Sequence, residues 1–133
     1  MFVKININPK SIKASDCVIR AISLASGIDY SDVYWGLCNI GADMCRIPNE
    51  KKVYEKYLED IGFVKQKMPK NDDNTRYKVN QLATELNDIY EGFAVVSVAN
   101  HLTCVGHGNI YDTWDCGYKS VGNFWLLPDN IIS

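Results

Sequence analysis

The apolar residues of this 133-residue chain change their period once, after about Asn87, and that change constrains the fold more than any other feature. Before it they recur at helical spacing. Val18, Ala21, Ile22 and Ala25 fall at i, i+3, i+4 and i+7 behind Asp16, a residue type that favours helix starts, and Ser26-Gly27 supplies a stop. A second, short helix is expected to begin at Asp29 to Ser31 and to bury Val33, Trp35 or Leu37. Pro48 opens a third, with Val53, Tyr54, Tyr57, Leu58 and Ile61 as its stripe and Gly62 as its end. The stretch from Lys65 to Arg76 is polar and turn-rich, and a fourth helix is expected from Val79 to Asn87 with Leu82 and Leu86 inward. Beyond it the residues are those of strands: Phe93 to Val98, His101 to Val105, Ile110 to Trp114 and Val121 to Leu127. Helices first and strands last is the order of an α+β fold, with N-terminal helices packed on a C-terminal antiparallel sheet.

No linker, repeat or low-complexity tract divides the chain, so residues 1–133 are read as a single domain. A composition that is 47% hydrophobic and 23% charged supports one core of ordinary size without disulfides or a structural metal. The five cysteines are odd in number and contain no CxxC pair. They fit neither a disulfide framework nor closed zinc spacing, and no cofactor is implied. The segment MFVKININPK has no apolar core or cleavage site, and Phe93 to Ala99 is far too short to span a bilayer. The expected setting is therefore cytoplasmic, with reduced thiols and no membrane contact. A net charge of −2 and a pI near 5.6 argue against a nucleic-acid partner, since the cluster Lys65, Lys67, Lys70 is broken by Asp72 and Asp73.

Chemistry concentrates at two places. Cys17 follows the N-cap of the first helix, where unpaired N–H groups and the positive end of the dipole favour a thiolate; the plainer alternative is a small buried hydrophobe. The second place is a hairpin. Gly106-His107-Gly108-Asn109 marks its turn, most simply with His107-Gly108 as a two-residue loop. In that register paired residues sum to 215, so Thr103 faces Asp112, His101 faces Trp114, and Asp112 lies diagonal to His101. There it could orient the imidazole. A three-residue loop would instead turn Asp112 to the opposite face and leave Asp115 or Asn100 as the orienter.

Cysteine at the start of an early helix, followed by one strand opening with His and a next carrying Asp, resembles the papain-like cysteine peptidase superfamily, its small bacteriocin-processing and transglutaminase-like branches above all. Asp16-Cys-Val-Ile-Arg-Ala-Ile22, His101-Leu-Thr and Tyr111-Asp-Thr-Trp-Asp115 are similar to motifs of small papain-like proteins, many from bacteriophages. The resemblance implies Cys17 as nucleophile, His101 as general base and acid, and Asp112 as orienter. The Gln that such enzymes carry a few residues before the cysteine is missing here. Asn8 is then the candidate oxyanion donor beside the Cys17 N–H, and Trp114 a candidate substrate contact. The expected function is a cysteine-dependent hydrolase or acyl transferase acting on an amide, isopeptide or thioester bond of a peptide, protein or acyl substrate. The alternative is a catalytically inactive papain-like module that captures a protein or small ligand. Elemental analysis of the purified protein should find no stoichiometric zinc; a full equivalent would replace the thiol-nucleophile reading with a metal centre.

Overall fold

The structure, a computed structural model, describes residues 1–132. Its helices are α1 (Cys17–Ser26), α2 (Tyr30–Met44), α3 (Lys51–Asp60) and α4 (Val79–Ile89), and its strands β1 (Phe2–Lys4), β2 (Val64–Gln66), β3 (Phe93–Val98), β4 (His101–Gly106), β5 (Asn109–Asp112) and β6 (Phe124–Leu126). The strands form one sheet in the order β1-β5-β4-β3-β6-β2. The α+β class expected from the periodicity is the class observed.

The sheet itself differs from the expectation of a C-terminal antiparallel one. Its central strands are C-terminal and antiparallel, but β1 adds to one edge in parallel with β5 and β2 closes the other edge against β6. Both edge strands are only three residues long, too short to carry an alternating apolar signal of their own. β6 is shorter than the run Val121 to Leu127, and β5 stops at Asp112 instead of Trp114.

Both faces of the sheet are covered, which is why Phe93 to Val98 reads as a nearly continuous apolar run. Val95, Leu102, Cys104 and Trp125 pack with α1, α2 and α3 in one core. Ala94, Val96, Val105, Ile110 and Phe124 pack with Val79, Leu82, Ala83 and Leu86 of α4 in a second. No helix among the described residues is long and apolar enough to cross a membrane.

Helix α2 is the largest departure from the sequence reading. It runs for 15 residues and buries Val33 and Leu37, while Trp35 is 63% exposed. Gly36 lets it lie close against α3: a Cβ there would fall 2.4 Å from the Tyr57 ring. Gly→Ala inside a helix ordinarily stabilises by about 0.5–1 kcal/mol. At Gly36 overpacking against the buried Tyr57 should reverse the sign and cost about 1–3 kcal/mol. Urea unfolding of Gly36→Ala measures this, and a stabilised variant would show that α2 and α3 are not in close contact there.

Candidate active site

The turn between β4 and β5 sets the site. His107 and Gly108 both have positive φ, 52° and 77°, as a two-residue primed turn requires. The ladder pairs Cys104 with Tyr111, Val105 with Ile110 and Gly106 with Asn109, so the expected register holds. One step beyond the last pair, Asp112 turns back to His101: Nε2 lies 2.6 Å from Asp112 Oδ2. Asp112 is 3% exposed, which leaves little water to compete for the bond.

The other carboxylate oxygen, Oδ1, accepts the Thr113 N–H at 2.7 Å and an Arg20 guanidinium N–H at 3.2 Å. Arg20 Nε donates to Asp16 Oδ1 at 2.8 Å, one helical turn back on α1. Asp16 Oδ2 in turn accepts from the Tyr30 hydroxyl at 2.6 Å and from Asn8 Nδ2 at 3.0 Å. A buried chain of charges thus ties the N-terminal segment, α1, α2 and the hairpin together. Burial acts to raise the pKa values of Asp16 and Asp112, but Tyr30, Asn8 and Arg20 for the first and His101, with its charge, for the second hold both carboxyls below the ordinary range. Burial likewise opposes charge on Tyr30 and, with Asp16 beside it, pushes its hydroxyl up to about 12, so it stays a donor.

Cys17 is the first residue of α1. Asp16 occupies the N-cap position yet makes no capping hydrogen bond, because its carboxylate is committed to Arg20, Tyr30 and Asn8. The helix N-terminus therefore keeps its unpaired amides for another anion. The thiol opens into a cleft of about 470 Å³ that Tyr54, Asn49, Lys51, Asn100 and His101 also line. Burial works against the thiolate, but His101, the Leu102 backbone and Arg20 more than offset it and lower the Cys17 pKa. His101 moves the other way: burial disfavours its charge, and hydrogen bonding to Asp112 and the neighbouring thiols raises its pKa above the ordinary value. Opposite shifts in one thiol and one imidazole are those of a thiolate–imidazolium pair. With Nε2 on Asp112, Nδ1 is the ring nitrogen not engaged by the carboxylate, and His101 and Cys17 line the same cleft.

The remaining sequence candidates separate cleanly. Asp115 is exposed and accepts the Gly117 N–H at 2.9 Å, and Asn100 is a left-handed turn residue at the cleft rim, so neither replaces Asp112 on His101. Trp114 does not pair with His101 across the strands, because β5 ends before it. Its ring instead lies 4.7 Å from the His101 ring, covering it. Asn8 is corrected as an oxyanion donor: its amide is spent on Asp16 and Tyr30 and its Oδ1 on the Lys10 N–H, and it does not line the Cys17 cleft. Cys104 is fully buried, and burial pushes its thiol up.

From sequence, Asp16 has only a helix-start role and Arg20 stands only within the motif that begins there; neither of them, nor Tyr30, is assigned to the site. Arg20 did carry a signal, as the one charged residue in an otherwise apolar or hydroxyl-bearing helix, CVIRAISLAS. Cys116 also lies here, its Sγ 3.9 Å from Asp112 Oδ2, so that His101, Asp112 and Cys116 present donor atoms within 4.8 Å of one another. A divalent ion on those three would have to break the His101–Asp112 bond and sit beside the Arg20 guanidinium already on that carboxylate. The donor set suits a hydrogen-bonded thiol site better than a metal.

Removing Arg20 would leave two buried carboxylates facing each other. Arg20→Ala should cost about 3–5 kcal/mol near neutral pH. The sign with pH follows from the depressed carboxyls. Their stabilisation is present above the unfolded-state pKa near 3.8 and is lost as pH falls through the lower folded-state values. Urea unfolding should therefore show the variant's deficit narrowing as pH drops below about 4, and a deficit that stays constant would mean that Arg20 acts by packing alone.

The chain matches no family model, no curated protein and no solved structure.

Proposed function

We propose that the chain is a cysteine-dependent hydrolase or acyl transferase of papain-like type, acting on an amide, isopeptide or thioester bond of a peptide, protein or acyl substrate. The observation that carries this reading is the 2.6 Å bond from His101 to a buried Asp112, made while the same imidazole lowers the pKa of a thiol at a helix N-terminus. A thiol, an imidazole on the same cleft and a carboxylate bonded to that imidazole are the three groups that nucleophilic catalysis needs, and they support this reading.

In this reading the Cys17 thiolate attacks the substrate carbonyl, and the resulting oxyanion lies against the Cys17 N–H at the uncapped end of α1. The His101 imidazolium gives its proton to the departing amine or thiol, which leaves an acyl-thioester on Cys17. Neutral His101 then takes a proton from water or an acceptor nucleophile as it attacks that thioester. Asp112 keeps the ring oriented and favours its charged form throughout. A thiolate kept for catalysis suits a reducing compartment, and the free cysteines accord with that.

The binding-module reading has one observation in its favour, the commitment of Asn8 to Asp16, which leaves the oxyanion to backbone donors. Alkylation separates the two. At about pH 6.5, limited iodoacetamide should modify Cys17 before Cys38, Cys45, Cys104 or Cys116, because the Cys17 thiol sits at a helix N-terminus with its pKa lowered. Because the Cys17 pKa is lowered, its rate should fall less steeply toward acid than that of free cysteine in solution. His101→Ala should slow Cys17 labelling about tenfold or more. Equal labelling of all exposed thiols, or an unchanged rate in His101→Ala, would transfer the assignment to the binding module.

A further inference from the structure

The segment before Cys17 carries Lys4, Lys10 and Lys13 and no acidic residue until Asp16, in a chain whose net charge is −2. Lys4 and Lys13 line a recess of about 520 Å³ together with Ile5, Ile12, Arg20 and Trp114. It shares no lining residue with the Cys17 cleft. Its wall is tied in place: the Ile5 N–H donates to the Asp112 carbonyl at 2.8 Å, Asn6 Nδ2 to the Ile12 carbonyl at 3.1 Å, and the Ser11 N–H to the Asn8 carbonyl at 2.8 Å. A site held in shape before its ligand arrives costs less to fill.

Charge defines one end of the occupant. Lys4 and Lys13 pair with no carboxylate among the described residues. Asp16, the acid in the lining, has both oxygens taken by Arg20, Tyr30 and Asn8. Arg20, only 8% exposed, bonds Asp16 through Nε and Asp112 and Thr113 through Nη1, whereas its Nη2 makes no hydrogen bond among the described residues. Thr103 Oγ1 is the one sealed polar atom without a partner among those residues, so Nη2 keeps access to the recess that Arg20 lines. A guanidinium with an unbonded edge is a directed donor for an anion. Because the Arg20 charge is already shared with two carboxylates, the lysines supply the attraction and Nη2 the aim.

Apolar surface defines the other end. Ile12 is 53% exposed and Ile5 and Trp114 38% each, and apolar groups converging with a few polar ones on a concavity mark binding more than scattered exposure does. The volume falls within the range of about 300–1,000 Å³ usual for small-molecule sites.

We propose that this recess binds a small organic carboxylate bearing one apolar group about the size of an aromatic ring, the carboxylate on Lys4, Lys13 and the free edge of Arg20 and the apolar group against Ile5, Ile12 and Trp114. Such binding needs no reaction at Cys17 and stands apart from the hydrolase reading. Arg20 also bonds Asp112, and Trp114 covers His101, so the ligand adjoins the groups that hold His101 without entering the thiol cleft.

The test titrates the full chain calorimetrically with phenylacetate, with phenylacetamide, which keeps the ring and loses the charge, and with acetate, which keeps the charge and loses the ring. Phenylacetate should saturate one site, and each control should bind about tenfold more weakly or worse. Lys4 and Lys13 are exposed, so changing both leaves the core intact, and Lys4→Gln with Lys13→Gln should weaken phenylacetate about fivefold. Lys10→Gln, on the same segment but outside the lining, and Lys51→Gln, on the Cys17 cleft, should leave its affinity unchanged. In heteronuclear NMR spectra the Arg20 Nε–H resonance should move with saturation while that of exposed Arg46 stays in place. Absence of saturable binding, equal affinity for phenylacetamide, or an unmoved Arg20 resonance overturns the site. A loss in Lys10→Gln or Lys51→Gln as large as in the double variant does so too, the latter by placing the ligand in the thiol cleft.

Discussion

Everything at the site depends on how one buried carboxylate is shared. Asp112 gives Oδ2 to His101 and Oδ1 to Thr113 and Arg20, and through Arg20 its charge is tied to Asp16, the residue just before Cys17 and helix α1. A buried ion pair of this kind is poor evidence for added stability, since desolvation of both partners largely offsets their attraction. What it secures is geometry. With each oxygen already bonded, the carboxylate has one low-energy orientation, and the imidazole it holds is restricted in turn.

The same chain of bonds explains why the helix terminus stays open. Aspartate at the N-cap position usually turns back to bond the amides of the first turn, a contribution of about 1 kcal/mol. Here Asp16 turns away to Arg20, Tyr30 and Asn8, and that forgone capping bond leaves donors free at the point where an oxyanion would form. Tyr30 matters for a related reason: its hydroxyl bond to Asp16 joins the start of α2 to the site. Asp16, Cys17 and Arg20 thereby bring the buried charges and the thiol onto one short stretch of chain, residues 16–20.

Hairpin register was the most legible part of the site. Two consecutive residues at positive φ, one of them Gly108, specify a two-residue loop, and a two-residue loop specifies which side chains share a face. That reasoning reached Asp112 over Asp115 and Asn100 without coordinates. It failed at Trp114, because a ladder persists only while backbone pairs form, and the chain leaves the sheet at Asp112. It also failed at Asn8. A missing donor in an expected place was filled by the nearest residue of suitable type, whereas the folded chain gives that amide a stronger partner, a buried carboxylate.

From sequence alone came the class of the fold, the helix that begins at Cys17, and the pairing of His101 with Asp112, because each rests on local information: a period, a cap position, a turn type. Three things were decided only in the tertiary structure. The edge strands β1 and β2, three residues each, are too short on their own to register, and pairing with the sheet edge satisfies their backbone groups. The close approach of α2 to α3 at Gly36 and Tyr57 is a contact between residues 36 and 57 that no local pattern encodes. And Arg20 meets Asp112 across 92 positions of sequence. No periodicity encodes that meeting; it follows from two buried charges that must each find a partner once the core has closed around them.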